Sequence, residues 1–225
     1  MIDRTLISGA TNFGDHVGTP IGSLGYGEAV WHTDMSFNES PTAASLLTSL
    51  EVPPTGGDTG FANMYLALET LPERLRQRVA TLTIKNDASR TSAGELRPGF
   101  PEVVDIPTCP GPSHPIVRTH AETGHNCLYL GRRPNAYVNG LPLEESEILL
   151  EQLWSHATRS ELTWRHQWRV GDLLIWDNRC TLHHRNPFDA HHRRVLHKTQ
   201  TKGERPFCSP SASTLPHSRG HVFAV

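Results

Sequence analysis

Two stretches of this chain hold side chains that could do chemistry together. Trp31-His32-Thr33-Asp34-Met35-Ser36-Phe37 supplies a His-x-Asp pair, and Trp176-Asp177-Asn178-Arg179-Cys180-Thr181-Leu182-His183 supplies a lone histidine after a strand-like run. Two imidazoles and one carboxylate can occupy one face of an octahedral metal ion and leave the opposite face open, the ligand set of non-haem Fe(II) oxygen chemistry. His32 and Asp34 stand at i and i+2, so on an extended strand they point to the same side. A helix would set them about 200° apart. Asp34 and His183 are separated by 148 intervening residues, so the fold must bring distant strands together. The tripeptide alone is weak evidence, because 14 histidines and 23 acidic residues make a chance match easy.

The elements that must position these groups are legible in outline. A chain of 225 residues is long enough for one domain with one sizeable core. Thr11 to Gly27 is Gly-rich and reads as a loop leading to the Trp31 strand. Ala43 to Leu50 reads as a buried strand, and Pro53 to Asp58 forces a turn. The pattern predicts a helix over Phe61–Leu71, a second from Pro72 to about Ala80 and a short strand at Thr81–Ile84. Ile116–His120 and Asn126–Leu130 flank Glu122-Thr123-Gly124 as a hairpin. Leu143–Ala157 is the clearest helix, with Glu144, Glu145 and Glu147 in its first turns and Leu149 and Leu153 on the core face. Glu161–Val170, Asp172–Asp177 and Arg194–Thr201 complete the strands. Many short strands and a few helices predict a mainly β sandwich or jelly roll with helices packed outside.

One domain is expected over residues 1–202. Residues 86–115 form a long polar loop, either a lid or a disordered segment. Residues 203–225 form a flexible C-terminal tail. The formal charge of −2 implies no field for nucleic acid or membrane. No apolar run approaches the ~20 residues that span a bilayer. The four cysteines show no Cys-x-x-Cys spacing and read as reduced thiols, which fits a cytoplasmic setting where Fe(II) persists.

Three further residues gain meaning only beside the His-Asp-His set. Thr59 reads in isolation as a turn residue or helix N-cap. Arg194 reads in isolation as a surface arginine; facing a metal pocket, its planar fork would pair with a carboxylate. A 2-oxoacid that chelates iron through one carboxylate and its keto oxygen needs such an anchor for its far carboxylate. Lys198 alternates onto the same strand face as Arg194 and Leu196, so it should enter the same cavity unless the strand twists it to solvent.

Trp-His-Thr-Asp followed by Ser-Phe, then Gly-Gly-Asp-Thr, then Trp-Asp-Asn-Arg-x-Thr-Leu-His, then Arg-Arg-Val-Leu-His-Lys-Thr-Gln, in this order, resembles the taurine dioxygenase / 2,4-dichlorophenoxyacetate dioxygenase family. The resemblance runs from about Gly22 to Lys202. It implies a double-stranded β-helix and an Fe(II)- and 2-oxoglutarate-dependent dioxygenase that uses O2 and releases succinate and CO2. It implies His32, Asp34 and His183 as iron ligands, and Thr59 and Arg194 as the holders of 2-oxoglutarate. It points to a small anionic substrate of the sulfonate, sulfate ester, phosphonate or aryloxyacid class, with Lys198 as a substrate contact, and leaves room for a homo-oligomer.

Three departures from the family pattern bear on this reading. Most of the family's N-terminal segment before the Trp-His-Thr-Asp strand is absent, so the chain is read as a fragment, a mis-called start or a natural variant with a more open pocket. His183 is followed by His184, which should face the other way on a strand. Lys198 stands where the taurine enzyme has an arginine, and Glu28 where that enzyme has a polar substrate contact. The rival readings are a shortened jelly roll that binds metal and 2-oxoacid without turnover, and a zinc hydrolase on the same ligands. The second lacks a clear general base and gives Arg194 no purpose.

Overall fold

The computed structural model describes residues 8–9, 29–91, 94–209 and 223–224. The Gly-rich stretch before Glu28, Glu28 itself and the tail beyond 209, apart from 223–224, lie outside the described residues. In chain order the elements are β1 (Ser8–Gly9), β2 (Ala29–His32), β3 (Ala44–Glu51), β4 (Thr59–Asn63), α1 (Met64–Glu69), α2 (Glu73–Val79), β5 (Thr83–Lys85), β6 (Ser113–Pro115), β7 (Val117–Thr119), β8 (Asn126–Leu128), β9 (Tyr137–Val138), α3 (Leu143–Ala157), β10 (Thr163–His166), β11 (Leu173–Asp177), β12 (Thr181–Arg185), β13 (Val195–Gln200) and β14 (Phe223–Ala224).

Two antiparallel sheets form the double-stranded β-helix. One has the order β1-β13-β3-β11-β14 and the other β10-β4-β12-β2. Side chains alternate across each strand, so one face of each sheet looks into the sandwich. Leu47, Leu174, Trp176 and Leu196 from the first sheet meet Phe61 from the second. The other face of the second sheet offers Ala62 and Leu182 to a larger apolar cluster built with α1, α3 and the small sheets, including Leu68, Leu128, Leu149 and Leu153. This two-faced burial fixes register, because a slip of one residue would exchange the faces.

The structure differs from the sequence reading at several boundaries. The helix expected over Phe61–Leu71 begins only at Met64, where Asn63 Oδ1 accepts from the backbone N–H groups of Tyr65 and Leu66, both at 3.1 Å. Phe61 to Asn63 stay extended because Phe61 fills the sandwich while Ala62 faces the helices. The strand expected over Glu161–Val170 shortens to β10, preceded by a 3-10 turn at Ser160–Leu162.

The described residues of the 86–115 segment, 86–91 and 94–115, fold against the body. Asn86, Asp87, Ser89 and Cys109 are buried. The segment carries a 3-10 turn at Ile106–Thr108, and Arg90 bridges Leu96. Beyond residue 202, the chain is tied to β7 through residue 209: Thr119 N–H donates to Phe207 O and Ser209 N–H to Thr119 Oγ1, while buried Arg118 pairs with Glu204.

Candidate metal and cosubstrate site

β2 and β12 are hydrogen-bonded neighbours, and His32 pairs directly with His183. Paired residues of an antiparallel ladder project to one face, so both imidazoles enter the sandwich, with ring centroids 4.2 Å apart. His183 stands 4.9 Å from the Trp176 ring, centroid to centroid, and faces Phe61 on its other flank. His184 points the opposite way and lies 4.0 Å from Trp31, outside the sandwich.

Asp34 reaches the same point by a route that strand alternation does not describe. β2 ends at His32, and Asp34 lies in the following turn, where Met35 adopts φ 56°. The extended His-x-Asp geometry expected from sequence is therefore replaced by a pinned turn. Thr33 N–H donates to Gly131 O at 2.8 Å. Asn178 Oδ1 accepts from Asp34 N–H at 2.9 Å, and Asn178 Nδ2 donates to Asp34 O at 3.0 Å and to Thr42 O at 2.9 Å.

The result brings Asp34 Oδ1 to 3.6 Å from His32 Nε2 and 3.7 Å from His183 Nε2. One ligand atom from each of the three residues lies within 4.8 Å of the others, and all three residues are buried. His32 Nδ1 lies 2.7 Å from Val30 O. That carbonyl can only accept, so Nδ1 carries the proton and the Nε2 lone pair faces the carboxylate side. Burial lowers the pKa of both histidines, which keeps the imidazoles neutral and fit to ligate. Burial pushes Asp34 upward, but the Lys198 ammonium opposes it, and the carboxyl lies well below its usual range. Two neutral nitrogens and one carboxylate oxygen, converging without a bulky group between them, fit Fe(II).

The outer oxygen of that carboxylate is also held. Asp34 Oδ2 accepts from Ser45 Oγ at 2.8 Å and sits 2.6 Å from Lys198 Nζ. Lys198 shares the inward face of β13 with buried Leu196, and its partner here is the Asp34 carboxylate.

The other two expected residues lie further along the sandwich. Thr59 opens β4, is buried, and accepts from Trp168 Nε1 at 2.9 Å. With the indole on one lone pair, the hydroxyl hydrogen is free to point at an anion. Arg194, immediately before β13, is 3% exposed and donates from Nε to Gly57 O at 3.1 Å. Gly57 has φ +69°, and a Cβ there would sit 3.0 Å from the Arg194 Cδ and Nε atoms, so the glycine leaves room for the arginine. Burial, with Arg185 nearby, pulls the Arg194 pKa down to about 9. Arg185 pairs with Thr59 across β12 and β4, so this end of the sandwich concentrates positive charge.

Sequence reasoning missed Ser45, Asn178, Trp168 and Arg185. Asn178 sits inside the Trp-Asp-Asn-Arg stretch and could have been singled out; the other three carry no local signal. It also gave no role to His120. His120 Nε2 lies 2.9 Å from Asp177 Oδ2, and Arg179 doubly engages the same carboxylate, locking the β11–β12 turn against the β7–β8 hairpin.

Comparison with known proteins places this geometry. A family model described as "Taurine catabolism dioxygenase TauD, TfdA family" matches residues 9–200. The chain is 38% identical over 178 residues to the alpha-ketoglutarate-dependent 2,4-dichlorophenoxyacetate dioxygenase of Cupriavidus pinatubonensis, a match over 78% of this chain and 61% of that protein. It is 35% identical over 187 residues to the enzyme of that name from Burkholderia sp., over 82% and 62% respectively. Among solved structures, AAD-2 in complex with Mn(II) and N-oxalylglycine superposes with a TM-score of 0.70 at 31% identity, over 79% of this chain and 70% of that one. The chain spans about three fifths of the length of the two curated relatives.

Proposed function

Because the chain belongs to the taurine catabolism dioxygenase TauD, TfdA family, we propose that it is an Fe(II)- and 2-oxoglutarate-dependent dioxygenase that hydroxylates a small anionic organic molecule. The observation that carries this is the convergence of His32, Asp34 and His183, with a cationic, hydroxyl-bearing end of the same sandwich beyond it. A hydrolase would have no use for that second end.

In this reading His32 Nε2, His183 Nε2 and one oxygen of Asp34 hold the metal. Bound Fe(II) supplies the redox chemistry that couples O2 reduction to decarboxylation of the 2-oxoacid and hydroxylation of the substrate. The remaining work falls to the chain. Ser45 and Lys198 occupy Asp34 Oδ2, which leaves Oδ1 to ligate. Arg194 and Thr59 take the distal carboxylate of 2-oxoglutarate and so orient its keto-acid end toward the metal. Trp176 and Phe61 wall the site and keep water from the oxidant. Lys198 adds positive charge inside the cavity and favours a substrate that is a sulfonate, sulfate ester, phosphonate or aryloxyacid.

Succinate release with Fe(II), 2-oxoglutarate and a panel of such anions tests the proposal. Stimulation by at least one anion is expected. Tight Fe(II) and 2-oxoglutarate binding with no succinate formed under any condition would favour a jelly roll that binds without turnover.

A further inference from the structure

The row of side chains that holds the metal ligands extends one position further. His183 pairs with His32, and on the other edge of β2 His32 forms an antiparallel bridge with Arg132. Cross-strand partners share a face, so His183, His32 and Arg132 stand side by side on the inner face, about 4.8 Å apart from strand to strand. Arg132 is 7% exposed. Its Nη1 donates to Arg90 O at 2.9 Å, and its Nε has no partner among the described residues. Nε and Nη2 form the side of a guanidinium that binds an oxyanion through two parallel hydrogen bonds.

A second guanidinium converges on the same spot. Arg97, from the 86–115 segment, donates from Nε to the same Arg90 carbonyl at 3.3 Å. Both arginines lie against one aromatic ring: the Arg97 Cζ is 3.9 Å and the Arg132 Cζ 4.6 Å from the centroid of Phe37, three residues past the metal-ligand Asp34. Among the described residues neither arginine has a carboxylate within ion-pair distance. The Asp87 carboxylate is near enough to raise the pKa of both arginines, but its hydrogen bonds come from Ser89 and Asn135. Arg90 is neutralised by Glu102. Burial lowers the pKa of Arg132 to about 10, with Arg97 adding to the effect. Two partly desolvated cations this close repel one another, and an anion between them relieves both the repulsion and the lost hydration.

We propose that Arg97 and Arg132 form a two-guanidinium receptor for the oxyanion group of the molecule oxidised at the neighbouring metal. The inference rests on the dioxygenase reading and deepens it by naming the anchor. Lys198 shares its ammonium with Asp34 and contributes charge, whereas Arg97 and Arg132 supply directed donors whose fork matches the paired oxygens of an oxyanion. The substrate class is a carboxylate, sulfonate or sulfate whose C–H to be oxidised lies within a few bonds of that group. The 86–115 segment then forms one wall of the substrate site through Arg97.

The test uses protein loaded with Mn(II) and N-oxalylglycine, which cannot turn over. Loading by the wild type is scored first, so that failure of the metal and 2-oxoacid reading is seen separately from failure of the receptor. Calorimetric titration then follows 2,4-dichlorophenoxyacetate, hexanesulfonate and hexyl sulfate, with 2,4-dichlorophenoxyethanol as the neutral control. At least one anion should bind about 10-fold or more tightly than the alcohol. Arg132→Gln and Arg97→Gln should each lower that affinity about 10-fold or more, and Arg132→Lys should recover only part, because lysine has no fork. Arg132 is buried, so Arg97→Gln, on a half-exposed residue, decides the matter if the Arg132 variants fail to load metal. Wild-type protein that loads but takes none of the anions, or takes them no better than the alcohol, overturns the proposal. So does anion affinity unchanged in Arg97→Gln.

Discussion

Asn178→Ala should loosen the metal site without touching a metal ligand. The Asn178 amide makes contacts of 2.9 Å from Asp34 N–H, 3.0 Å to Asp34 O, 2.9 Å to Thr42 O and 3.0 Å to Thr42 Oγ1. Two Nδ2 hydrogens cannot fully serve three acceptors, so about three bonds count. At roughly 1 kcal/mol each, with the Asp34 N–H left buried and unmet, the loss is about 3–4 kcal/mol. For a chain of this size that lowers Tm by roughly 6–16 °C. Mn(II) must then order a turn that Asn178 had held. Fixing one residue costs about 1–2 kcal/mol, so affinity should fall roughly 5- to 30-fold. Asn178→Asp should be worse than alanine, since it turns an oxygen and a charge toward the backbone carbonyls of Asp34 and Thr42. Urea denaturation and Mn(II) competition against a chelator read both quantities. An alanine variant as stable as wild type with unchanged Mn(II) affinity, or an aspartate variant more stable than alanine, would refute the reasoning.

Four further outcomes follow from the same geometry. His183→Ala should abolish Mn(II) binding while His184→Ala retains it, because His184 packs on Trp31 outside the sandwich; the reverse result in a metal titration reassigns the ligand. Arg194→Ala should weaken 2-oxoglutarate binding to the anaerobic Fe(II) protein about 30- to 1000-fold, the worth of a lost charge-assisted fork, and equal affinity would place the anchor elsewhere. Lys198→Met should raise KM for an anionic substrate several-fold and, by releasing Asp34 Oδ2, also weaken Mn(II) binding; equal KM values would remove Lys198 from substrate binding. Asp177 is opposed by burial but held far below the usual carboxylate range by His120 and Arg179. Its folded pKa is depressed, so its contribution is complete above the unfolded value near about 4 and fades as pH falls further. Its side chain is 32% exposed, which limits the expected effect to about 1 kcal/mol. Acid-unfolding curves of wild type and Asp177→Asn should therefore converge below about pH 4, and a constant gap down to pH 2 would count against this assignment.

Sequence and structure agree most where side-chain alternation is enforced by burial on two faces. β3, β11, β13 and α3 fall close to their expected spans because each has an uninterrupted pattern. Disagreement arises where one residue type serves two roles. Phe61 and Ala62 look like the start of a helix until the second sheet claims one face and the helices the other. The triad itself was legible by residue type and order, but its construction was not. The sequence required the His32 and His183 strands to meet, but strand alternation put Asp34 on the same strand as His32 and could not foresee that it arrives on a turn held by Asn178. Ser45 and Arg132 were invisible because their roles depend on which strands become neighbours, and strand order is a long-range property that no local pattern records.

That division of labour makes the metal site a pair of fixed jaws and one compliant one. The backbone separation of His32 and His183 is set by the pairing of β2 with β12. It cannot be adjusted without tearing hydrogen bonds on both strands. Asp34 stands off that lattice, on a short arm whose hinge is a single amide. On the proposed ligand set, ions of different radius would be met chiefly by travel of the carboxylate, against the Asn178 clip and the grip of Ser45 and Lys198.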